Sequence, residues 1–203
     1  MANLKQVAAR AGVSTATVSN VLAGVARVSE RTRQRVLAAA LDLDYHPDLI
    51  AQSLRKRTTR TFGMVIPDIA NPFFPQLVRG AEDAAWENQY LVITFNTDEQ
   101  AQRERVAVSL MRSRQVDGLL VVAGPHPDGN KEILNAAASG IPTVLLDRNL
   151  PGSPVDAVLV DNRAAARRGV EEILRTGSRR VAFIRGPETL ENAGERLLGF
   201  EDG

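Results

Sequence analysis

The 203 residues suffice for one large domain or two smaller ones, and a hydrophobic content of 44% belongs to a chain that buries a core rather than one that stays disordered. No cysteine is present and the two histidines, His46 and His126, stand far apart, which excludes a disulfide framework and a thiolate metal site and implies no cofactor; no run of eighteen apolar residues and no signal-like start at Met1–Arg10 make a cytoplasmic protein away from the membrane the expectation. The net charge of +1 hides an asymmetry: residues 1–60 hold ten Lys or Arg against four acids, a surplus of +6, and the rest of the chain carries −5, the layout of a molecule that offers one end to a polyanion.

The first 46 residues predict three short helices. Asn3 can cap the first, whose Leu4, Val7, Ala8 and Ala11 follow the spacing of one buried stripe, and Gly12 can end it. Ser14 can cap the second after a turn of two residues, with Val18, Val21 and Leu22 facing inward. Ser29 can cap the third, whose Val36, Leu37, Ala40 and Leu41 are expected in the same core.

Two helices joined by so tight a turn must cross steeply, as in a helix-turn-helix, so the second can enter a major groove with its outer face. Thr15, Ala16, Ser19 and Asn20 then point outward, because positions four apart share a helix face. Asn20 has the two-sided amide that pairs with adenine, Ala16 suits a thymine methyl, and Thr15 and Ser19 can reach bases or phosphates. On spacing alone, a small protein-binding module of three alanine-rich helices stays open as an alternative.

The run Arg55–Arg60 is too polar and too charged to pack and reads as a linker. Beyond it, short apolar runs at 62–67, 91–96, 119–123, 143–147, 157–160 and 181–185 alternate with amphipathic stretches, the pattern of a parallel α/β sheet with crossover helices. Residues 193–203 begin one more helix, so the body is expected to be incomplete at this end. Ligands of such sheets sit beyond the carboxyl ends of the strands, which draws attention to Asp68, Asn71, Asn96, Asp98, Asp147, Arg148, Asp161 and Asn162. Phe73 and Phe74 precede Pro75 at a helix start, where each ring can either face that cleft or fill space between sheet and helix.

The segments 3–8, 11–22, 28–33, 45–47 and 51–55 together resemble the head of the lactose and galactose repressor (LacI/GalR) family. The resemblance continues in Ile66–Phe74, Val116–Leu120, Ile141–Arg148 and Asp161–Asn162. It implies an all-α helix-turn-helix head (1–46), a hinge helix and basic linker (47–60), and a periplasmic-binding-protein-like α/β body, with a first effector subdomain at 61–160 and the beginning of a second at 161–203. It further implies a transcription regulator, a repressor more readily than an activator, that binds a pseudo-palindromic operator in double-stranded DNA as a homodimer and answers to a small polar effector such as a sugar. Carried onto this sequence, the DNA contacts are Thr15, Ala16, Thr17, Ser19, Asn20 and Ser29, with Leu54 as a minor-groove wedge in a hinge helix at 48–56 and Arg55 and Lys56 on phosphates. The effector contacts are Asn71, Phe73, Phe74, Asp147, Asp161 and Arg196. The family's second lobe is larger than residues 161–203 can supply, which leaves a second outcome: an interaction fragment that pairs with an intact relative. An enzyme is the remaining rival, and the sequence offers no Gly-x-Gly-x-x-Gly, no Walker loop, no Gly-x-Ser-x-Gly elbow and no histidine set beside a carboxylate.

Overall fold

The computed structural model describes residues 2–22, 28–45, 58–113 and 116–203. The chain folds as two compact units, 1–57 and 58–203. The hinge at 48–56, with Leu54, Arg55 and Lys56, lies outside the described residues.

In the first unit, α1 (Leu4–Ala11) opens with a capping box, in which Asn3 Oδ1 accepts the Gln6 N–H at 3.0 Å and Gln6 Oε1 accepts the Asn3 N–H at 2.8 Å. It ends at Gly12, whose φ of 62° is a left-handed conformation that glycine adopts without a Cβ clash. After the turn, α2 (Thr15–Leu22) starts on Ser14, whose Oγ accepts the Thr17 N–H at 3.1 Å. The third helix, α3 (Glu30–Asp42), is capped by Ser29 through the Thr32 N–H at 3.3 Å. Val7, Ala8, Ala11, Val18, Val21, Val36, Ala39 and Ala40 form the buried core, with Leu4, Leu22, Leu43 and Tyr45 packed at its rim. Two expected core residues are not in it. Leu37 is 49% exposed and Leu41 83% exposed, because the inward stripe of α3 runs through Val36, Ala39, Ala40 and Leu43, one position away from the leucine pair.

The second unit is a five-stranded parallel sheet in the order β2-β1-β3-β4-β5. Its strands are β1 (Thr61–Ile66), β2 (Leu91–Asn96), β3 (Gly118–Val121), β4 (Thr143–Leu146) and β5 (Asp156–Val158). Helices α4 (Phe73–Glu87), α5 (Ala101–Ser113) and α6 (Pro127–Ala138) are the crossovers. Alternation along the strands splits the core in two. Val65, Leu119, Val121 and Leu145 meet Ala107, Val108, Met111, Ile133 and Ala136 of α5 and α6, and Met64, Ile66 and Leu146 meet Phe74 and the inner face of α4.

After β5, α7 (Asn162–Arg175) and α8 (Glu191–Asp202) pack on each other. Gly199 permits the close crossing, since a Cβ there would strike the Arg163 carbonyl, and the Arg163 guanidinium forks onto Asp202. The run 181–185 is not a strand: no described strand lies beside it to complete a hydrogen-bonded ladder, and Ile184 is 97% exposed. Nor does the linker stay unpacked to its end. Thr58, Thr59 and Arg60 are held by the Asp117 carboxylate, a partner 57 residues or more away that the local composition does not reveal.

Candidate functional site

The first candidate surface is the outer face of α2. Burying Val18 and Val21 turns Thr15, Ala16 and Asn20 outward as exposed residues, with Thr17 and Ser19 half-buried at their flank. The Thr17 hydroxyl lies 2.9 Å from Ser14 Oγ, and the Ser29 hydroxyl lies 2.9 Å from Thr32 Oγ1, so both take part in helix starts. Helix starts gather unpaired N–H groups and partial positive charge, which suits an anionic backbone. Arg35, which the sequence did not single out, reaches from α3 to the Ala11 carbonyl and, at 3.3 Å, to the Gly12 carbonyl, so a cation sits on the carboxyl end of α1 and pins the turn.

The second candidate surface lies at the carboxyl edge of the sheet. Strand order reverses between β1 and β3, which opens a crevice between the segments that follow them. Asn71 and Phe73 stand at the β1 side, where Asn71 Oδ1 accepts the Phe73 N–H at 3.1 Å and Phe73 is 43% exposed. Phe74 is 3% exposed in the core with its edge against Phe73, so the space-filling alternative describes it.

Across the sheet, Asp147 follows β4 in a left-handed conformation (φ 62°) and accepts the Asn192 side-chain N–H at 3.2 Å. Burial raises its carboxyl above the ordinary value, against the pull of Arg148 and Arg196. Arg196 Nε donates to Asn162 Oδ1 at 2.7 Å, and Asn162 and Asn192 are both buried. The structure therefore brings Asp147 and Arg196 into one polar group with Asn162 and Asn192. Asp161 caps α7 through the Ala164 N–H at 2.9 Å. Asn192 carries no signal in the sequence, because its partner lies 45 residues earlier.

Next to this group, Arg148 forks onto Glu99 at 2.7 and 3.0 Å and donates to the Ala123 carbonyl at 3.1 Å, which ties together the segments after β2, β3 and β4. A cavity of about 220 Å³ opens there, lined by Gly124, Asn130, Arg148, Asn149 and Thr189 among others. Among the described residues no cluster of His, Asp or Glu is arranged to hold a metal ion, and no helix is long and apolar enough to cross a membrane.

A three-helix helix-turn-helix unit ahead of a parallel α/β unit with a polar cleft at the carboxyl ends of its strands defines a two-part class, a helix-turn-helix head on a periplasmic-binding-protein-like body. Residues 3–48 match the family model of bacterial regulatory proteins of the lacI family, and residues 59–203 match that of periplasmic binding proteins and the sugar binding domain of the LacI family; the chain belongs to the LacI family. It is 38% identical to the ribose operon repressor of Halalkalibacterium halodurans over all of its own length and 39% identical to that of Bacillus subtilis over 98%. It spans 59% of the length of each of these relatives. Among solved structures, it matches a lac repressor dimer bound to operator and an anti-inducer, with a TM-score of 0.81 at 27% identity over 98% of this chain and 60% of that one. A complex of the regulator CelR with cellobiose matches with a TM-score of 0.61 at 30% identity over 100% and 61%.

Proposed function

We propose that the chain is a sequence-specific, DNA-binding transcriptional repressor of the cytoplasm, which binds a pseudo-palindromic operator as a homodimer with an affinity set by a small polar effector of the sugar class. It acts by binding and not by catalysis. The observation that carries this reading is the outward row Thr15, Ala16 and Asn20, on a helix fixed by its Ser14 cap and by the Arg35 pin, inside a segment of charge +6. Thr17, Ser19 and Ser29 contribute from the flank and from the helix starts, and Arg55 and Lys56 add salt-sensitive attraction to phosphates. Leu54 in the hinge at 48–56 is the wedge that unstacks a base step. In this reading 1–46 is the head, 47–60 the hinge and linker, 61–160 the first effector subdomain and 161–203 the start of the second.

A polyhydroxylated effector is supported by the chemistry of the cleft. Asp147, Arg196, Asn192 and Asn71 offer donors and acceptors, and Phe73 offers a half-exposed ring, the mixture that sugar hydroxyls and ring faces require. Asp161 and Phe74 serve by position, the one by starting α7 and the other by seating Phe73. The ribose operon repressors and the cellobiose complex point to the same class of ligand. A second copy of the chain is expected along the edge of β2, where Trp86, Leu91 and Ile93 are exposed.

Selection of the full chain against randomised double-stranded oligonucleotides at low ionic strength tests the reading. Inverted repeats are expected, with half-sites spaced by whole helical turns, and Asn20→Ala should lose discrimination at one base pair of each half-site, about 1–3 kcal/mol. Recovery of unrelated sequences would overturn it.

A further inference from the structure

One carboxylate at the amino end of the sheet serves neither the DNA surface nor the cleft. Asp117 lies just before β3, and three consecutive residues at the entry to the second unit deliver hydrogen bonds to it. Oδ1 accepts the Thr59 N–H at 2.7 Å and the Thr59 hydroxyl at 2.8 Å; Oδ2 accepts the Arg60 N–H at 2.9 Å and the Thr58 hydroxyl. The Asp117 N–H in turn donates to the Thr61 carbonyl at 2.8 Å, where β1 begins. Burial alone would raise this carboxyl, but the bonds from Thr58, Thr59 and Arg60 outweigh it and hold the group below its ordinary value, so it stays ionised at neutral pH.

Arg60 adopts a left-handed conformation, φ 50°, that a side chain with a Cβ takes only when its surroundings hold it there. The Asp117 carboxylate supplies one restraint. Two others come from β2 and the turn before it: the Arg60 carbonyl accepts the Leu91 N–H at 2.9 Å, and its guanidinium donates to Gln89 at 2.6 Å. The entry is thereby tied to the amino ends of β1, β2 and β3 at once.

We propose that Asp117 is a positioning residue that fixes where the second unit begins, so that the connection to the head is counted from Thr58 and not from β1. Releasing Thr58, Thr59 and Arg60 would lengthen that connection by up to about 10 Å at roughly 3.3–3.6 Å per residue. A longer connection lowers the effective concentration of the second head once the first is bound. This inference rests on the reading of the head as an operator-binding unit.

The test uses the full chain with Asp117→Ala and the milder Asp117→Asn, which keeps one acceptor oxygen. Amide exchange at Thr59 and Arg60 is read without DNA, and affinity is read on a selected inverted repeat and on a single half-site. We expect exchange to rise about tenfold or more in D117A and less in D117N. Affinity for the inverted repeat should fall about three- to tenfold, with half-site affinity unchanged and a wider range of half-site spacings tolerated. A merely structural role would weaken both oligonucleotides alike. Unchanged exchange, an equal loss on both oligonucleotides, or an unchanged inverted-repeat affinity despite faster exchange would overturn the proposal. A wild-type chain that binds no oligonucleotide would refute the operator reading instead, and the exchange measurement would then decide the anchor by itself. Should D117A fail to fold, D117N is judged by the same criteria.

Discussion

Glu104 shows how much one side chain can be decided by a distant partner. It projects from α5 and is 2% exposed, with Oε2 accepting the Gly124 N–H at 2.6 Å and Oε1 buried without a partner. Gly129 makes room for that second oxygen, which a Cβ at 129 would meet. Burial raises the carboxyl above 4.5, against the Gly124 bond and the charges of His126 and Arg148, while Glu99 adds to the rise. A raised folded-state value means that the native state holds the proton more tightly, so the contribution to stability is complete below pH 4.5 and is lost as pH rises through the folded value. Glu104→Gln has no such titration. The stability of the wild type relative to E104Q is therefore expected to decline as pH rises above 4.5 and to level off above the folded value, and parallel pH profiles of the two denaturation midpoints would refute the assignment. In the sequence this residue is one polar position in an amphipathic run. Its burial was not legible, because Gly124 and Gly129 reach it only through the β3–α6 crossover.

At the scale of elements, what was readable locally and what was not divide along a physical line. The starts of α1, α2 and α3 were legible, because a cap is a contact between residues three apart: Asn3 with Gln6, Ser14 with Thr17, Ser29 with Thr32. The five described strands follow the apolar runs for the same reason, since period and length are local. The face of α3 that holds Leu37 and Leu41 and the fate of 181–185 depend on what packs alongside, which no local pattern encodes. The site divides likewise: the outer row of α2 follows from helical spacing, whereas Asn192 and Arg35 needed the fold. The local part makes a sharp prediction. Ser14→Ala removes a cap and should cost the head about 1 kcal/mol, in line with typical cap losses. Asn20→Ala lies on an exposed face and should leave stability within about 0.5 kcal/mol while changing base preference. Thermal melting of the two variants, set beside their binding, separates a helix that must be built from a face that must be read.

For the whole molecule the governing quantity is the distribution of charge. In the proposed reading a net +1 spread evenly would give weak non-specific attraction to DNA, but +6 in residues 1–60 against −5 beyond them confines the attraction to the first part of the chain. Cations displaced from phosphates make affinity fall with salt in proportion to the number of phosphates neutralised, with a slope near −0.9 for each. In the proposed dimer, a few phosphate pairings for each head, those of Arg55 and Lys56 among them, amount to about 6–10, so affinity should drop by roughly 10³-fold or more between about 50 and 200 mM salt. Removing one of these charges in both copies, as in Arg55→Gln, should lower the magnitude of the slope by about one for each phosphate left unneutralised and weaken all sequences nearly equally, whereas Asn20→Ala should leave the slope alone and change only which sequence is preferred. The two variants therefore pull apart the ionic and the base-reading parts of one interface. A salt slope near zero with specificity intact would mean that the basic end is not where the DNA lies.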